Sequence, residues 1–390
     1  MNDRTALSLL LEHGALTRNR LSELSGLSKP TASQMMVRLE NLGLIHVVGE
    51  VSAGRGPSAA SYAVRNDKVL AVAVNINHGL AQSTVVDASG ADHPIVESQL
   101  SRTARNRDPA DDVRGAVRAA CAASGLRMRS VRMVAVGVQG AVDERADELS
   151  FVQSLPGWPR HGARAALEAA LKCQVLIEND VNLAAIAERT QGAGIGRHSF
   201  ALLWVGEGLG LTVDLGGVVL NGASGRAGEL GDLPVPRDVA AVDPEAKDLE
   251  SLVSAAGLGR IARLHGVRKR SFPALLGALA DHPEREQILD ALAGRLAVVV
   301  RVVLAVVDPD RVVLGGPTAA VGGTILAELV QAKIRRSSKW SAEVVTSTVT
   351  DHPIIRGARE LLTAKVREVL IEEVGDVPGG AAPTRRRLTV

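Results

Sequence analysis

The run Val175-Leu176-Ile177-Glu178-Asn179-Asp180-Val181-Asn182 sets two short polar side chains where an apolar stretch gives way to a helical one. Residues 175–177 read as the end of a buried strand, and residues 182–188 read as a helix. Asn and Asp at such a junction cap the helix, whose first N–H groups point outward. Ligands of open α/β sheets bind beyond the carboxyl ends of strands, so the same junction is where a binding carboxylate belongs. Taken alone, the stretch is compatible with a plain helix cap and with a ligand site.

A second set of chemistry-bearing residues lies near the start of the chain. Short helices are predicted over residues 5–13, ended by Gly14, and 18–25, after a cap at Thr17. Gly26-Leu27-Ser28 makes a tight connection, Ser28 caps a third helix, and Pro30 falls in its first turn, where a missing N–H costs nothing. That helix runs to about residue 42, with Gly43 as its stop. Ala32, Met36 and Leu39 share an inward face, while Thr31, Ser33, Gln34 and Arg38 point the other way, with Lys29 at the start. Donors and acceptors for base edges, with no acid before Glu40, suit a helix that enters the major groove. Two β-type runs, 44–48 and 62–64, then flank a Gly/Ser/Arg-rich loop in which Arg55 is placed to reach a phosphate or the minor groove. The pattern resembles the winged helix-turn-helix of bacterial repressors.

The rest of the composition narrows the classes. The chain has 390 residues, 46% hydrophobic and 23% charged, a balance that supports two or three folded domains. A net charge of +2 is too small for general nucleic-acid affinity, so DNA binding must come from a local patch. Cys121 and Cys173 are the only cysteines, which excludes a disulfide framework and a Cys-rich zinc site. The start lacks a charged-then-apolar signal pattern, and the longest apolar run, 297–307, is broken by Arg301 and too short to span a bilayer. A soluble cytoplasmic protein without membrane partners is expected.

The residues in between must position the Asn-Asp junction. Buried strands are predicted over 69–74, 80–86 and 131–138, a shorter one over 94–100, and helices over 109–124 and 162–171. A similar order recurs: strands over 199–205, 211–215 and 218–220; helices over 250–264, 272–280 and 284–307; a strand over 311–314, a helix over 322–334, a strand over 344–348 and a helix over 354–373. Two βββαβα-like halves with a cleft between them describe an α/β, actin-like (ribonuclease H-like) sugar-kinase architecture. The expected organisation is a winged helix over 1–66, a first lobe over 67–178 completed by helix 354–374, a second lobe over 179–353, and a Gly/Pro/Ala-rich tail over 375–390 that lacks the composition to fold.

Taken together, the stretches Leu27-Ser28-Lys29-Pro30-Thr31, Val136-Gly137-Val138-Gln139-Gly140-Ala141-Val142-Asp143, Leu155-Pro156-Gly157-Trp158, Glu178-Asn179-Asp180, Gly206-Glu207-Gly208-Leu209-Gly210, Gly228-Glu229-Leu230-Gly231 and Asp308-Pro309 with Leu314-Gly315-Gly316 give the chain its resemblance to the ROK family (repressors, open reading frames and sugar kinases), in its DNA-binding branch. The resemblance covers nearly everything up to about residue 374. It implies that Asp180 stands where family kinases hold the general base for a sugar hydroxyl. It also implies that Asn179, Glu229 and a further Glu, aligned at Glu250, hold sugar. An ionised carboxylate suits this, because it accepts two hydroxyl bonds in fixed geometry.

The departures from the family pattern bear on activity. Family kinases open the actin-like part with an Asp-x-Gly-Gly-Thr phosphate loop; here the stretch is Asn75-Ile76-Asn77-His78-Gly79, without the acid or the paired glycines. Glu207 replaces the Thr of a second, Gly-Thr-Gly loop, so that loop is expected to be a plain hairpin turn rather than an ATP contact. The family zinc site needs a His after Gly-Glu-x and a Cys cluster; Asp232 takes the His position, and residues 233–248 contain no Cys. Asp232 remains a candidate acceptor for a hydroxyl. The expectation is a non-enzymatic, sugar-responsive regulator, most simply a repressor, with no cofactor and no metal. Its partners would be a double-stranded DNA operator and a sugar or sugar derivative. A homodimer or homotetramer is expected, since one such module covers little DNA. Two alternatives stand beside it: an ATP-dependent sugar kinase with an added DNA-binding domain, and a regulator whose cleft has lost its sugar.

Overall fold

The computed structural model describes residues 2–51, 58–77, 79–101, 103, 107–150, 155–236, 243–337, 339–340 and 342–375. Arg55, the tail beyond Gly375 and His78 lie outside the described residues.

The first unit contains α1 (Asn2–His13), β1 (Leu16–Thr17), α2 (Arg18–Ser25), α3 (Lys29–Asn41), β2 (Ile45–Val51) and β3 (Ala59–Val64). Local chemistry sets its boundaries. The Thr17 hydroxyl accepts the Arg20 N–H at 3.2 Å, and Ser28 accepts the Thr31 N–H at 3.4 Å. Gly26 ends α2 in the left-handed region. Leu7, Leu10, Leu21, Ala32, Met35, Met36 and Leu39 are buried together beneath the strand order β1-β3-β2. The two-residue β1 and the inward Met35 escape the sequence reading.

The remainder forms two lobes with the same plan. In lobe 1, β4 (Leu70–Asn77), β5 (Leu80–Val86) and β6 (Val96–Gln99) run antiparallel. β7 (Val131–Val138) and β10 (Gln174–Asn179) then add in parallel on the far side of β4, giving the order β10-β7-β4-β5-β6. A small hairpin, β8 (Ala141–Asp143) with β9 (Glu148–Ser150), follows β7 and is not foreseen from the sequence. In lobe 2, β11 (Ser199–Val205), β12 (Leu209–Leu215) and β13 (Val218–Val219) are antiparallel, and β14 (Arg311–Gly315) and β15 (Glu343–Thr346) add in parallel. Parallel strands buried on both faces need continuous apolar runs, which is why these segments are legible as strands.

Each sheet is covered on both sides. Leu70, Val72 and Val74 face α4 (Pro109–Ala123) and α5 (Ala163–Leu171). Ala71, Ala73, Met133 and Ala135 face the long α12 (Pro353–Glu373) through Ile355, Ala358 and Leu362. In lobe 2, Ala201, Leu203, Val205, Val312 and Leu314 share a core with α7 (Leu249–Val253), α8 (Ala255–Leu264), α9 (Phe272–Ala280), α10 (Arg285–Val306) and α11 (Gly316–Ser337). The single helix expected over 250–264 is two: Ser254 is extended, and the next N–H, of Ala255, donates to Gly206 O at 3.0 Å instead of continuing the helix. α11 starts at Gly316, six residues earlier than expected, and is interrupted at Gly323, whose φ is 60°.

Between the lobes lies α6 (Asp180–Gln191). Its Leu183 joins the lobe 1 core with Ile355 and Ala358, whereas Val181, Ala184 and Ala185 join Phe200, Leu202 and Val313 of lobe 2. α12 crosses α6 in backbone contact: a Cβ on Gly357 would lie 1.7 Å from Leu183 O. Further along, Leu362, Val366 and Leu370 of α12 share one core with Ala6, Leu7 and Leu10 of α1. Lys68 ties the same junction, donating from Nζ to Leu42 O at 2.5 Å and lying 3.6 Å from Glu373. No helix among the described residues is long and apolar enough to cross a membrane.

Candidate functional site

The end of β10 pairs with the end of β7, Asn179 opposite Val138, which brings the α6 N-terminus beside Gln139 and Gly140. Asn179 is the helix cap. Its Oδ1 accepts the Val181 and Asn182 N–H groups at 2.8 and 3.0 Å, and its Nδ2 donates to Gly140 O at 2.9 Å. One amide hydrogen is left for a ligand. Asp180 Oδ1 accepts the Val181 N–H at 2.9 Å. Burial pushes the Asp180 carboxyl up to about 7, the Val181 N–H bond opposing and the Glu229 charge adding to it. Glu178 is also raised, by burial first, although it accepts from Asn179 N and Asn182 Nδ2.

Glu229 and Glu250 reach the same cavity from lobe 2. The cavity measures about 130 Å³, and its lining includes Asn179, Asp180, Glu229 and Glu250 together with Gln139 and Glu207. Glu229 is carried by a loop that only glycine can close. Gly228 has φ 90°, and a Cβ there would sit 2.1 Å from Leu211 O. Glu250 is in the first turn of α7, where the Asp248 carboxylate and the Ser251 hydroxyl form a capping box. Both glutamates titrate above their ordinary range, burial being the main cause; the Asp232 charge adds to each, and Arg226 partly offsets Glu229. Asp232 itself is exposed and outside the cavity lining, so of the five residues proposed for the ligand the fold brings four together. Gly206-Glu207-Gly208 turns β11 into β12: Val205 pairs with Leu209, and Gly206 N donates to Gly208 O at 3.0 Å. Among the described residues no three Asp, Glu, His or Cys are grouped to hold a metal ion; with Asp232 at the family's His position and no Cys over 233–248, the donor types of this loop do not match a structural zinc site.

Asn182 escapes the sequence reading. Its Nδ2 donates to Glu178 and, at 3.1 Å, to Asn221 Oδ1, while its Oδ1 accepts from Thr212 at 2.8 Å. It therefore fastens the end of β10 to two segments of lobe 2. Its position three residues after Asn179, on the same side of the first turn, is the signal that could have found it.

On the winged helix, Lys29, Gln34 and Arg38 are exposed and Thr31 and Ser33 half-buried, all on α3. Thr31 Oγ1 is 2.8 Å from Ser28 Oγ. Arg38 is engaged: Nε and Nη2 donate to the two Asp3 oxygens at 2.8 and 2.6 Å. It thereby pins α1 to α3, a role its sequence position does not reveal.

The ROK family model matches residues 80–365. The chain belongs to the ROK family. A winged helix-turn-helix DNA-binding model matches residues 2–46, so this ROK protein carries the DNA-binding module ahead of the two lobes. Among curated relatives, a glucokinase of Halalkalibacterium halodurans is 30% identical over 195 residues, 45% of this chain and 58% of that protein. The chain thus spans less than two thirds of that relative. Among solved structures, a ROK family transcriptional regulator, a homologue of the E. coli MLC protein, superposes with a TM-score of 0.69 at 20% identity over 95% of this chain and 98% of its own. The ROK hexokinase of Thermus thermophilus has a TM-score of 0.59 at 25% identity over 77% and 100%. The first of these likenesses extends over the winged helix and both lobes, as a likeness of fold.

Proposed function

We propose that this ROK protein is a sugar-responsive transcription regulator without kinase activity. The winged helix (1–66) binds an operator in duplex DNA, as part of a homodimer or homotetramer. A sugar or sugar derivative enters between lobe 1 (67–178 with 354–374) and lobe 2 (179–353). The Asp180 carboxyl holds the hydroxyl that a kinase would activate, with Asn179, Glu229 and Glu250 beside it.

The observation that carries this reading is the unbroken packing from the cavity to the DNA-binding unit. α6 bears Asn179 and Asp180 at its start, lies against α12 along Leu183, and α12 continues into the core of α1. A ligand that changes the lobe angle at α6 therefore acts on a helix that also supports the winged helix. Loss of phosphoryl transfer is supported by Asn75 and Glu207. Asn75 is buried and its Nδ2 is directed to Gln82 Oε1 at 3.4 Å, while Glu207 would set a carboxylate against a terminal phosphate.

The test has two parts. Fluorescence anisotropy with a duplex taken from upstream of the coding region should show salt-dependent binding that a bound sugar weakens. The same protein with ATP and a hexose panel should release no sugar phosphate. A second reading, an ATP-dependent kinase with an added DNA-binding unit, is favoured by Asp180 standing at the family's base position. Transfer of phosphate from ATP to any hexose, abolished by Asp180→Asn, would establish that reading instead.

A further inference from the structure

The chain is poor in aromatic residues, with three Phe, three Trp and one Tyr, yet it sets one of them, Trp204, in the wall of the cavity at the α6 N-terminus. Trp204 is the one aromatic among the described lining residues. It ends the stripe Phe200, Leu202, Trp204 on the face of β11 that packs towards α6. Its partners on both adjoining strands are glycines, Gly210 of β12 and Gly315 of β14. A Cβ on Gly315 would lie 3.3 Å from Trp204 Cε3, and one on Gly206 would lie 3.5 Å from Trp204 Nε1, so the indole lies close over both, where a side chain would crowd it. Val181 takes the space over Gly210, where a Cβ would sit 2.6 Å from Val181 Cγ2. The residue after Asp180 and the indole thus occupy neighbouring places over a floor of glycines. The indole is half-buried, and its Nε1–H meets no acceptor among the described residues.

Packing alone does not require this arrangement. Phe200 and Leu202 are buried and fill the core between α6 and the lobe 2 sheet, whereas Trp204 keeps part of its surface open to the cavity. A large apolar ring with one polar edge suits a wall that is wet on one side. A pyranose has matching surfaces. Its hydroxyls lie around the rim, where carboxylates and amides bond them, and its C–H groups form a flat apolar face that an aromatic ring covers. The cavity, about 130 Å³, offers roughly ten water-sized positions, space on the scale of a single hexose ring.

We propose that Trp204 is the stacking platform of the effector site, and that the effector is a single pyranose ring whose C–H face lies on the indole while its rim hydroxyls engage Asp180, Asn179, Glu229 and Glu250. The proposal rests on the reading of the cavity as a sugar site and specifies the sugar's form, a closed ring with an unbroken C–H face. Acyclic polyols, which carry the same hydroxyls without that face, are poor ligands.

Calorimetry on the full chain with glucose, mannose and galactose, each beside its alditol (sorbitol, mannitol and galactitol), tests it. The hexose that binds should do so at least about tenfold tighter than its alditol. Trp204→Leu should weaken that hexose at least about tenfold, and Trp204→Phe, which keeps a flat ring, less than about threefold. Binding should also shift the intrinsic fluorescence of the wild type, and the shift should vanish in Trp204→Phe, which leaves Trp158 and Trp340 in place. An alditol that binds as tightly as its hexose, or a Trp204→Leu protein that binds as tightly as wild type, would overturn the stacking assignment and leave the sugar-site reading standing. Should Trp204→Leu not fold, Trp204→Phe decides: a fluorescence shift that persists in it overturns the assignment, and one that vanishes with affinity kept supports it. Heat from none of the three hexoses would overturn both this assignment and the reading of the cavity as a hexose site.

Discussion

Asp180 carries a charge that the folded chain opposes. Its unfolded carboxyl titrates near 3.8, and burial raises it in the fold to about 7. Below pH ~4 both states are protonated. Between pH ~4 and ~7 the unfolded chain ionises while the folded one stays protonated, so stability falls across this window, and above about 7 the loss is complete. Asp180→Asn removes the effect. The variant should be more stable than wild type at pH 8, by roughly 1–3 kcal/mol in urea unfolding, and indistinguishable from it below pH ~4. A variant less stable than wild type at pH 8 would mean that the carboxylate is stabilised by groups other than those described. Arg38 and Asp3 make a different prediction. Their two-pronged pair is half-exposed, so Arg38→Ala and Asp3→Ala should each cost about 0.5–1 kcal/mol, and the double variant no more than either alone. Additive losses would show that the pair is not coupled.

At the level of elements, the crossing of α6 and α12 is the tightest joint near the site. Gly357→Ala would drive a methyl into Leu183 O, and should cost about 3 kcal/mol or more by thermal unfolding. The same variant should weaken the effect of bound sugar on DNA affinity; unchanged coupling would remove α12 from the route. Much of this architecture is legible in the sequence. The strands over 80–86, 131–138 and 199–205 are found to the residue, because apolar runs between turn signals are local information. Ser28, Gly26 and Gly43 likewise announce the helix-turn-helix by chemistry confined to a few neighbours. What escapes depends on distant partners. Ser254 breaks a helix because Gly206 O captures the next N–H, and nothing near Ser254 says so. Arg38, expected as an outward DNA contact, also pairs with Asp3, 35 residues away, a link that nothing near it in the sequence announces. Asn182 joins residues 178, 212 and 221, a set that only the closed cleft assembles. Asp232, assigned by alignment to a motif, is exposed and lies outside the cavity lining, a placement set by how its loop folds against lobe 2 rather than by the motif.

For the molecule as a whole, the two proposed activities are linked quantities. If a sugar lowers operator affinity by some factor, operator DNA must lower sugar affinity by the same factor. Anisotropy and calorimetry on one preparation should agree on it, and disagreement would show that a third state intervenes. Lys29, exposed on α3, should contribute its charge to phosphate contact: Lys29→Ala is expected to reduce the slope of log affinity against log salt by about one. An unchanged slope would place the DNA on another face.

The shared core of α1 and α12 also bears on how the protein comes into being. Pro353 follows His13 by 340 residues, which at roughly 5–20 residues per second takes the ribosome tens of seconds. Throughout that interval the winged helix has emerged, yet α1 lacks the part of its core that Leu362, Val366 and Leu370 of α12 supply, and one face of the lobe 1 sheet lacks Ile355 and Ala358. Nascent chains are thus candidates for chaperone binding until α12 arrives, and fragments stopped short of it leave an apolar sheet face uncovered.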